Sequence, residues 1–199
     1  MVLIKSMNYS GLSNLVKDFQ GRFEKRYAQS FHYHALDFQA STSVFDVATN
    51  DFKEDILATV IGVNEDNDVI DDGRQLYEIP PLRYDSMNPE RELLKRGYDS
   101  NILSFGKLPK KAIQVPKYMG GTTTPDFVYV VECEDKSHVY LLVETKAEGS
   151  GKRLNDEQIV AIQEQFFGAL KERGVKYQEA TTAEEVYTKL RKVAKLHDN

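Results

Sequence analysis

Between residues 124 and 146 the chain carries two near-continuous apolar runs, Phe127–Val131 and Val139–Val143, split by a short stretch of acids and turn formers. The runs are β-branched and aromatic, and each is too short to be a helix. They predict neighbouring strands buried on both faces. Strands of that kind sit in the middle of a sheet that helices cover, which sets the class as α/β with a central mixed β-sheet.

The polar residues bordering these runs carry the chemistry. Pro125-Asp126 heads the first run and Glu144-Thr145-Lys146 ends the second. Side chains alternate along a strand, so Glu144 and Lys146 project to one side, while Thr145 points away and leaves its carbonyl near the same edge. Asp126, delivered from the adjacent strand, completes a small oxygen cage with one ammonium beside it. A hard cation such as Mg²⁺ takes oxygen ligands and retains several waters. The pattern therefore points to metal-dependent phosphodiester hydrolysis. Asp126, Glu144 and the Thr145 backbone carbonyl are the expected ligands, Mn²⁺ should substitute for Mg²⁺, and Lys146 should stabilise developing negative charge. Glu90, in a short helix opened by Asn88-Pro89, is the acid expected to face the site and hold a metal-bound water or a second ion. Its competing reading is an acid that stabilises a helix N-terminus. Asp51-Phe52-Lys53 repeats the acid-x-Lys pattern, but in a stretch read as helix, with no Pro-Asp upstream.

Composition narrows the remaining choices. With 199 residues and 41% hydrophobic content the chain can bury a sizeable core. No apolar run reaches the ~20 residues of a membrane span, and the N-terminal apolar block is too short for a secretory signal. A single cysteine, Cys133, excludes an internal disulfide and fits a reducing, cytoplasmic location. A net charge of −5 weighs against binding nucleic acid by bulk electrostatics, although local lysine clusters can still do so.

Along the chain, residues 9–29 read as an amphipathic helix on Leu12, Leu15, Val16, Phe19 and Phe23. FHYHALDF (31–38) alternates like a strand, with His32 and His34 on its polar face. A second helix is expected from a Ser43 cap to about Ile61. The acidic, glycine-containing stretch 64–74 reads as an exposed turn, the seam between a mainly helical extension (1–75) and a catalytic core (76–199). Within the core the reading is a helix over 88–97, a strand from Ile102 to Leu108, a glycine turn at Gly120-Gly121, then the two apolar strands. A helix capped by Asn155 and running to about Glu172 follows, then a short strand at Val175–Gln178 and a last helix capped by Thr182.

These pieces resemble the PD-(D/E)xK nuclease superfamily, with Pro125-Asp126 and Glu144-Thr145-Lys146 filling the pattern. More narrowly, NPERELLKRG, GKLPKKAIQVP, TPDFVYVV, YLLVETKAE and NDEQIVAIQEQFFGAL resemble the C-terminal endonuclease domain of type III restriction-modification Res subunits. The resemblance covers roughly residues 76–195. It implies a restriction-endonuclease-like core and Mg²⁺-dependent cleavage of double-stranded DNA, with catalytic roles on Asp126, Glu144 and Lys146 and with Glu90 as the helix acid. It also implies a methyltransferase (Mod) partner subunit that supplies sequence specificity. One departure stands out: Ile159 and Phe166 occupy positions where that family tends to carry a lysine and a histidine. Gln158 and Gln163 are the polar residues on that helix that could face DNA.

The chain has no phosphate-binding Gly-x-x-x-x-Gly-Lys-Ser/Thr loop. ATP is therefore expected only for an upstream helicase/ATPase region of the same natural protein. Lys107, Lys110, Lys111 and Lys117 before the Asp126 strand, and Lys152 and Arg153 after the Glu144 strand, are the candidate contacts to DNA backbones. Two readings stay open beside the restriction nuclease: a repair or structure-specific nuclease on the same site, and a non-catalytic DNA-binding or docking module.

Overall fold

The structure, a computed structural model, describes residues 9–34, 40–57, 73–77, 84, 86–118, 120–146 and 154–195. In chain order its elements begin with α1 (Tyr9–Ser30) and the strand pair β1 (Phe45–Asp46) and β2 (Asp51–Phe52). A helical turn (Met87–Arg91) runs into α2 (Glu92–Lys95), and β3 (Ile102–Lys107) follows. Next come the small pair β4 (Val115–Pro116) and β5 (Thr122–Thr123), then β6 (Phe127–Glu132) and β7 (His138–Thr145). The chain ends in α3 (Leu154–Gly168), β8 (Val175–Ala180) and α4 (Ala183–Lys195).

The two apolar runs are the middle strands, β6 and β7, of a four-stranded sheet ordered β3-β6-β7-β8. β3/β6 and β6/β7 are antiparallel, and β8 is parallel to β7. A parallel neighbour cannot be reached by a hairpin, so the chain crosses through α3 between β7 and β8. Alternation sorts the side chains onto two faces. Phe105, Phe127, Tyr129, Leu141 and Val143 pack with Leu93 of α2 and with Val186 and Leu190 of α4. Leu142 packs on the other face with Ile162 and Phe167 of α3. This is the mixed sheet flanked by helices, with the restriction-endonuclease-like core that the sequence resembles.

Several local expectations change. Residues 45–52 are a tight hairpin, not the start of a helix. The Thr42 hydroxyl accepts from the N–H groups of Val44 and Phe45, and Asp46 Oδ1 accepts from Ala48 N, so side chains take backbone donors that a helix would need. The rest of that expected helix, 58–61, and nearly all of the 64–74 turn lie outside the described residues. Among the described residues Phe31–His34 pairs with no strand, and 35–38 of that expected strand lie outside them; the alternation is real, since Phe31 and Tyr33 are half-buried against Tyr118 and Phe166 and both histidines are exposed. α3 ends at Gly168 rather than near Glu172, and Asn155 lies inside it rather than capping it. The last helix is as read: Thr182 Oγ1 accepts from Glu185 N at 3.2 Å, and Val186, Leu190 and Val193 are buried. α1 forms as expected and lies along α3, but its apolar row stays largely open to solvent, with Phe19 70% exposed.

Gly174 sets the start of β8. Its φ of 75° is left-handed, a Cβ there would come within 3.1 Å of the His138 carbonyl, and its own carbonyl accepts from Tyr140 N at 2.9 Å. That bond opens the β7/β8 ladder. Gly174→Ala should therefore lower stability by roughly 1–2 kcal/mol, read from the urea midpoint. An unchanged midpoint would show that the turn absorbs a side chain without cost.

Candidate active site

Asp126 immediately precedes β6, whose first residue Phe127 pairs with Val143, so it lies beside the end of β7 that carries Glu144. Asp126 is fixed there through its main chain, which donates to Val143 O at 3.1 Å and accepts from Leu108 N at 2.7 Å. Its carboxylate Oδ2 accepts from the N–H of Thr145 at 2.7 Å and from the Thr145 hydroxyl at 2.8 Å. Thr145 thus orients Asp126 with two donors, a role the sequence alone did not suggest.

Glu144 and Lys146 do project together. Lys146 Nζ donates to Glu144 Oε1 at 2.6 Å and lies 3.9 Å from Asp156 Oδ1 in the first turn of α3. The other oxygen, Glu144 Oε2, is buried with no hydrogen-bond partner. Lys107 forms an ion pair with Glu90, and both side chains are largely out of water. Glu90 is held in the Met87–Arg91 turn, where its N–H reaches Ser86 Oγ at 3.4 Å. Lys110 and Lys111 are exposed on the loop that leaves β3, and Lys117 is half-buried. Lys152 and Arg153 lie outside the described residues.

The electrostatics follow from putting carboxylates side by side in a dry place. Burial pushes the Asp126 carboxyl above its ordinary value; the Thr145 donors and Lys107 pull it down, and the Glu90 charge pushes it up. Burial, then the Asp126 charge, push Glu144 up to about 7 against the pull of Lys146 and the Gln163 amide. Burial pulls the Lys146 ammonium down, but Glu144, Asp126 and Asp156 together hold it above its ordinary value. Neighbouring carboxylates with raised proton affinity beside an ammonium make this end of the sheet the candidate site.

Three residues went unassigned or were misread in the sequence. Asp156 gave no signal beyond being an acid at a helix start. Gln163 is fully buried, donating Nε2 to Thr123 Oγ1 at 3.1 Å, and Gln158 is 8% exposed, so neither is an open face for DNA. The signal was available for Gln163, since it shares the inward stripe of Ile159, Ile162 and Phe166, where a polar residue calls for a reason. Tyr177 on β8 is raised by burial and by Glu144 beside it.

The residues present fit a divalent cation. Mg²⁺ needs only one or two carboxylates and keeps its waters. Asp126 and Glu144 supply two, and Glu144 Oε2 is buried without a partner. Among the described residues no three His, Cys, Asp or Glu side chains converge as a complete protein cage.

Residues 73–184 match the family model described as an endonuclease domain. Over 179 residues, 89% of its length, the chain is 51% identical to the type III restriction-modification enzyme StyLTI Res subunit of Salmonella typhimurium. It is 29% identical over 129 residues, 65% of its length, to the EcoPI Res subunit of Escherichia phage P1, and likewise to the EcoP15I Res subunit of Escherichia coli. The chain spans 18% of the first of these relatives and 13% of the other two. No solved structure matches it. Among the described residues no helix is long and apolar enough to cross a membrane.

The raised proton affinity of Glu144 has a measurable sign. Its folded value, about 7 against an ordinary 4.5, means that the folded protein holds this proton more tightly than the unfolded chain does. The stability linked to it is complete below pH 4.5 and is lost as pH rises through about 7. Glu144→Gln is neutral at every pH. In chelator it should match the wild type in acid and exceed it by roughly 1–3 kcal/mol well above neutrality. Urea unfolding across that range checks this; a variant no more stable in alkaline buffer would mean that burial does not strain the carboxylate.

Proposed function

The chain belongs to the endonuclease-domain family, and on that premise we propose that it is the nuclease domain of a type III restriction enzyme, hydrolysing DNA phosphodiester bonds with Mg²⁺. One observation carries this reading: the Asp126 carboxylate is held by Thr145 next to Glu144, whose buried Oε2 lacks a hydrogen-bond partner among the described residues, with Lys146 bound to the other oxygen. We read Asp126, Glu144 and Lys146 as filling the PD-(D/E)xK pattern.

Asp126 and Glu144, with the Thr145 carbonyl as a third oxygen, would hold the metal. When bound, such a cation neutralises charge at phosphorus and makes water a stronger nucleophile. The chain's own residues do the rest. Thr145 holds the Asp126 carboxylate in one orientation, so the ligand is set before metal arrives. Lys146, kept protonated by Glu144, Asp126 and Asp156, supplies a fixed positive charge where negative charge grows at the phosphoryl group. Glu90 faces the same sheet end and acts on Asp126 through its charge. The exposed Lys110 and Lys111, with Lys152 and Arg153, which follow β7 in the sequence, are the proposed backbone contacts, adding a salt-sensitive part to affinity. The substrate is double-stranded DNA. The natural partners are an upstream helicase/ATPase region, which uses ATP, and a Mod subunit that chooses the sequence. The setting is cytoplasmic.

Supercoiled plasmid incubated with Mg²⁺ or Mn²⁺ at low salt tests the reading. The wild type should nick or linearise it, and Asp126→Ala should lose that activity. Lys146→Ala should cut at least about 100-fold more slowly, the scale of losing one charge-stabilising group, while folding normally. Cutting by Asp126→Ala at the wild-type rate would remove this site from the reaction.

A further inference from the structure

The two ammonium groups at this end of the sheet are placed differently. Lys146 follows β7 and lies against Glu144. Lys107 ends β3, where the register pairs it with Phe127, the residue after Asp126. Its side chain is 14% exposed and that of its partner Glu90 is 9% exposed. Alternation places Lys107 in the row of Phe127 and Val143, on the α2 and α4 face, whereas Glu144 belongs to the row of Leu142 on the α3 face. Asp126 sits at the sheet edge between them; the charges of Glu90 and Lys107 act on it, and its own charge acts on Glu144.

That layout bears on how many metal ions the site can take. Two ions acting together sit ~4 Å apart and need carboxylates enough to hold and bridge both. Beyond Asp126 and Glu144, the acid on the far side of Asp126 is Glu90, and a lysine ammonium already lies against it. A second metal ion would have to evict that ammonium from a buried pair and leave it without a counter-charge, which is strongly unfavourable. A lysine this covered also offers little to a phosphate outside.

We propose that Lys107 fills the second cation position of the active site, limiting the nuclease to one divalent ion rather than serving as a DNA contact. The proposal rests on the reading of Asp126 and Glu144 as metal ligands.

Mn²⁺ counting by electron paramagnetic resonance and calorimetry tests it, taking only those ions that Asp126→Asn fails to bind. The wild type and Lys107→Arg should each hold one ion, and Lys107→Met should hold two, because Glu90 is then left as a buried acid without its ammonium. The double variant Lys107→Met/Glu90→Gln replaces the ion pair by a neutral one and should return to one ion at near wild-type affinity. Two ions in the wild type, or only one in folded Lys107→Met, overturns the proposal. If Lys107→Met does not fold, the double variant decides: a loss of Mn²⁺ affinity of about tenfold or more, the scale of disturbing a ligand's support, makes Glu90 part of the metal's own shell and overturns the proposal. No site-dependent ion in the wild type is a different failure, that of the metal reading itself.

Discussion

The antiparallel register of β6 and β7 is the constraint on which the site depends. Six rungs run from Glu132↔His138 to Phe127↔Val143, and the row of Phe127, Tyr129, Val131, Val139, Leu141 and Val143 on one face is fully buried. A slip of one residue would turn that whole row away from its face, so the register is energetically well defined. It brings Asp126, which immediately precedes β6, beside Glu144 at the end of β7. The two carboxylates are therefore neighbours not through any attraction of their own but because the core behind them allows no other alignment. β8 extends the same logic, since Lys146 N donates to Ala180 O and ties the end of β7 to a parallel neighbour.

Being forced together, the carboxylates are under tension. Glu144 is buried and Asp126 half-buried, the Asp126 charge raises the proton affinity of Glu144, the Glu90 charge raises that of Asp126, and Glu144 keeps one oxygen without a partner among the described residues. Two ammonium groups relieve part of this from opposite faces, Lys146 on Glu144 and Lys107 on Glu90. Neither completes the coordination of Asp126 and Glu144 together. An apolar core of this quality can hold a few unfavourable charges in place.

What was legible in the sequence follows the same division. Buried strands announce themselves because apolar residues must occupy both faces, so β6, β7 and the residues ending them could be read directly. The last helix was readable because cap and stripe agree, with Thr182 and then Val186, Leu190 and Val193. The hairpin at 45–52 was not, because Phe45, Val47 and Phe52 fit a helical stripe as well as they fit a turn. The decision lay with Thr42 and Asp46, whose side chains bond nearby backbone N–H groups, and with Asn50 at a φ of 55°. The partners of the site residues were hidden for a further reason. Thr145 on Asp126, Asp156 near Lys146 and Lys107 on Glu90 are long-range pairings that no local periodicity encodes.

The chain contains its own control for what separates a motif from a site. Asp51-Phe52-Lys53 has the same acid-x-Lys spacing as Glu144-Thr145-Lys146 and also begins in a strand, β2. There Asp51 is exposed and its Oδ1 accepts from Phe52 N, while Lys53 Nζ donates to the Thr42 carbonyl, so the two charges serve a surface turn. In water a carboxylate two residues from a lysine interacts with it only weakly, because solvent screens both charges. At the end of β7 the same spacing is desolvated by a sheet and two layers of helices, and an acid from the neighbouring strand adds like charge. Spacing supplies the two charged groups, but burial and the facing strand set the pair at the end of β7 apart from a surface turn. Pro125-Asp126 therefore carried more information than Glu144-x-Lys146: it implies a second strand, and with it a covered site.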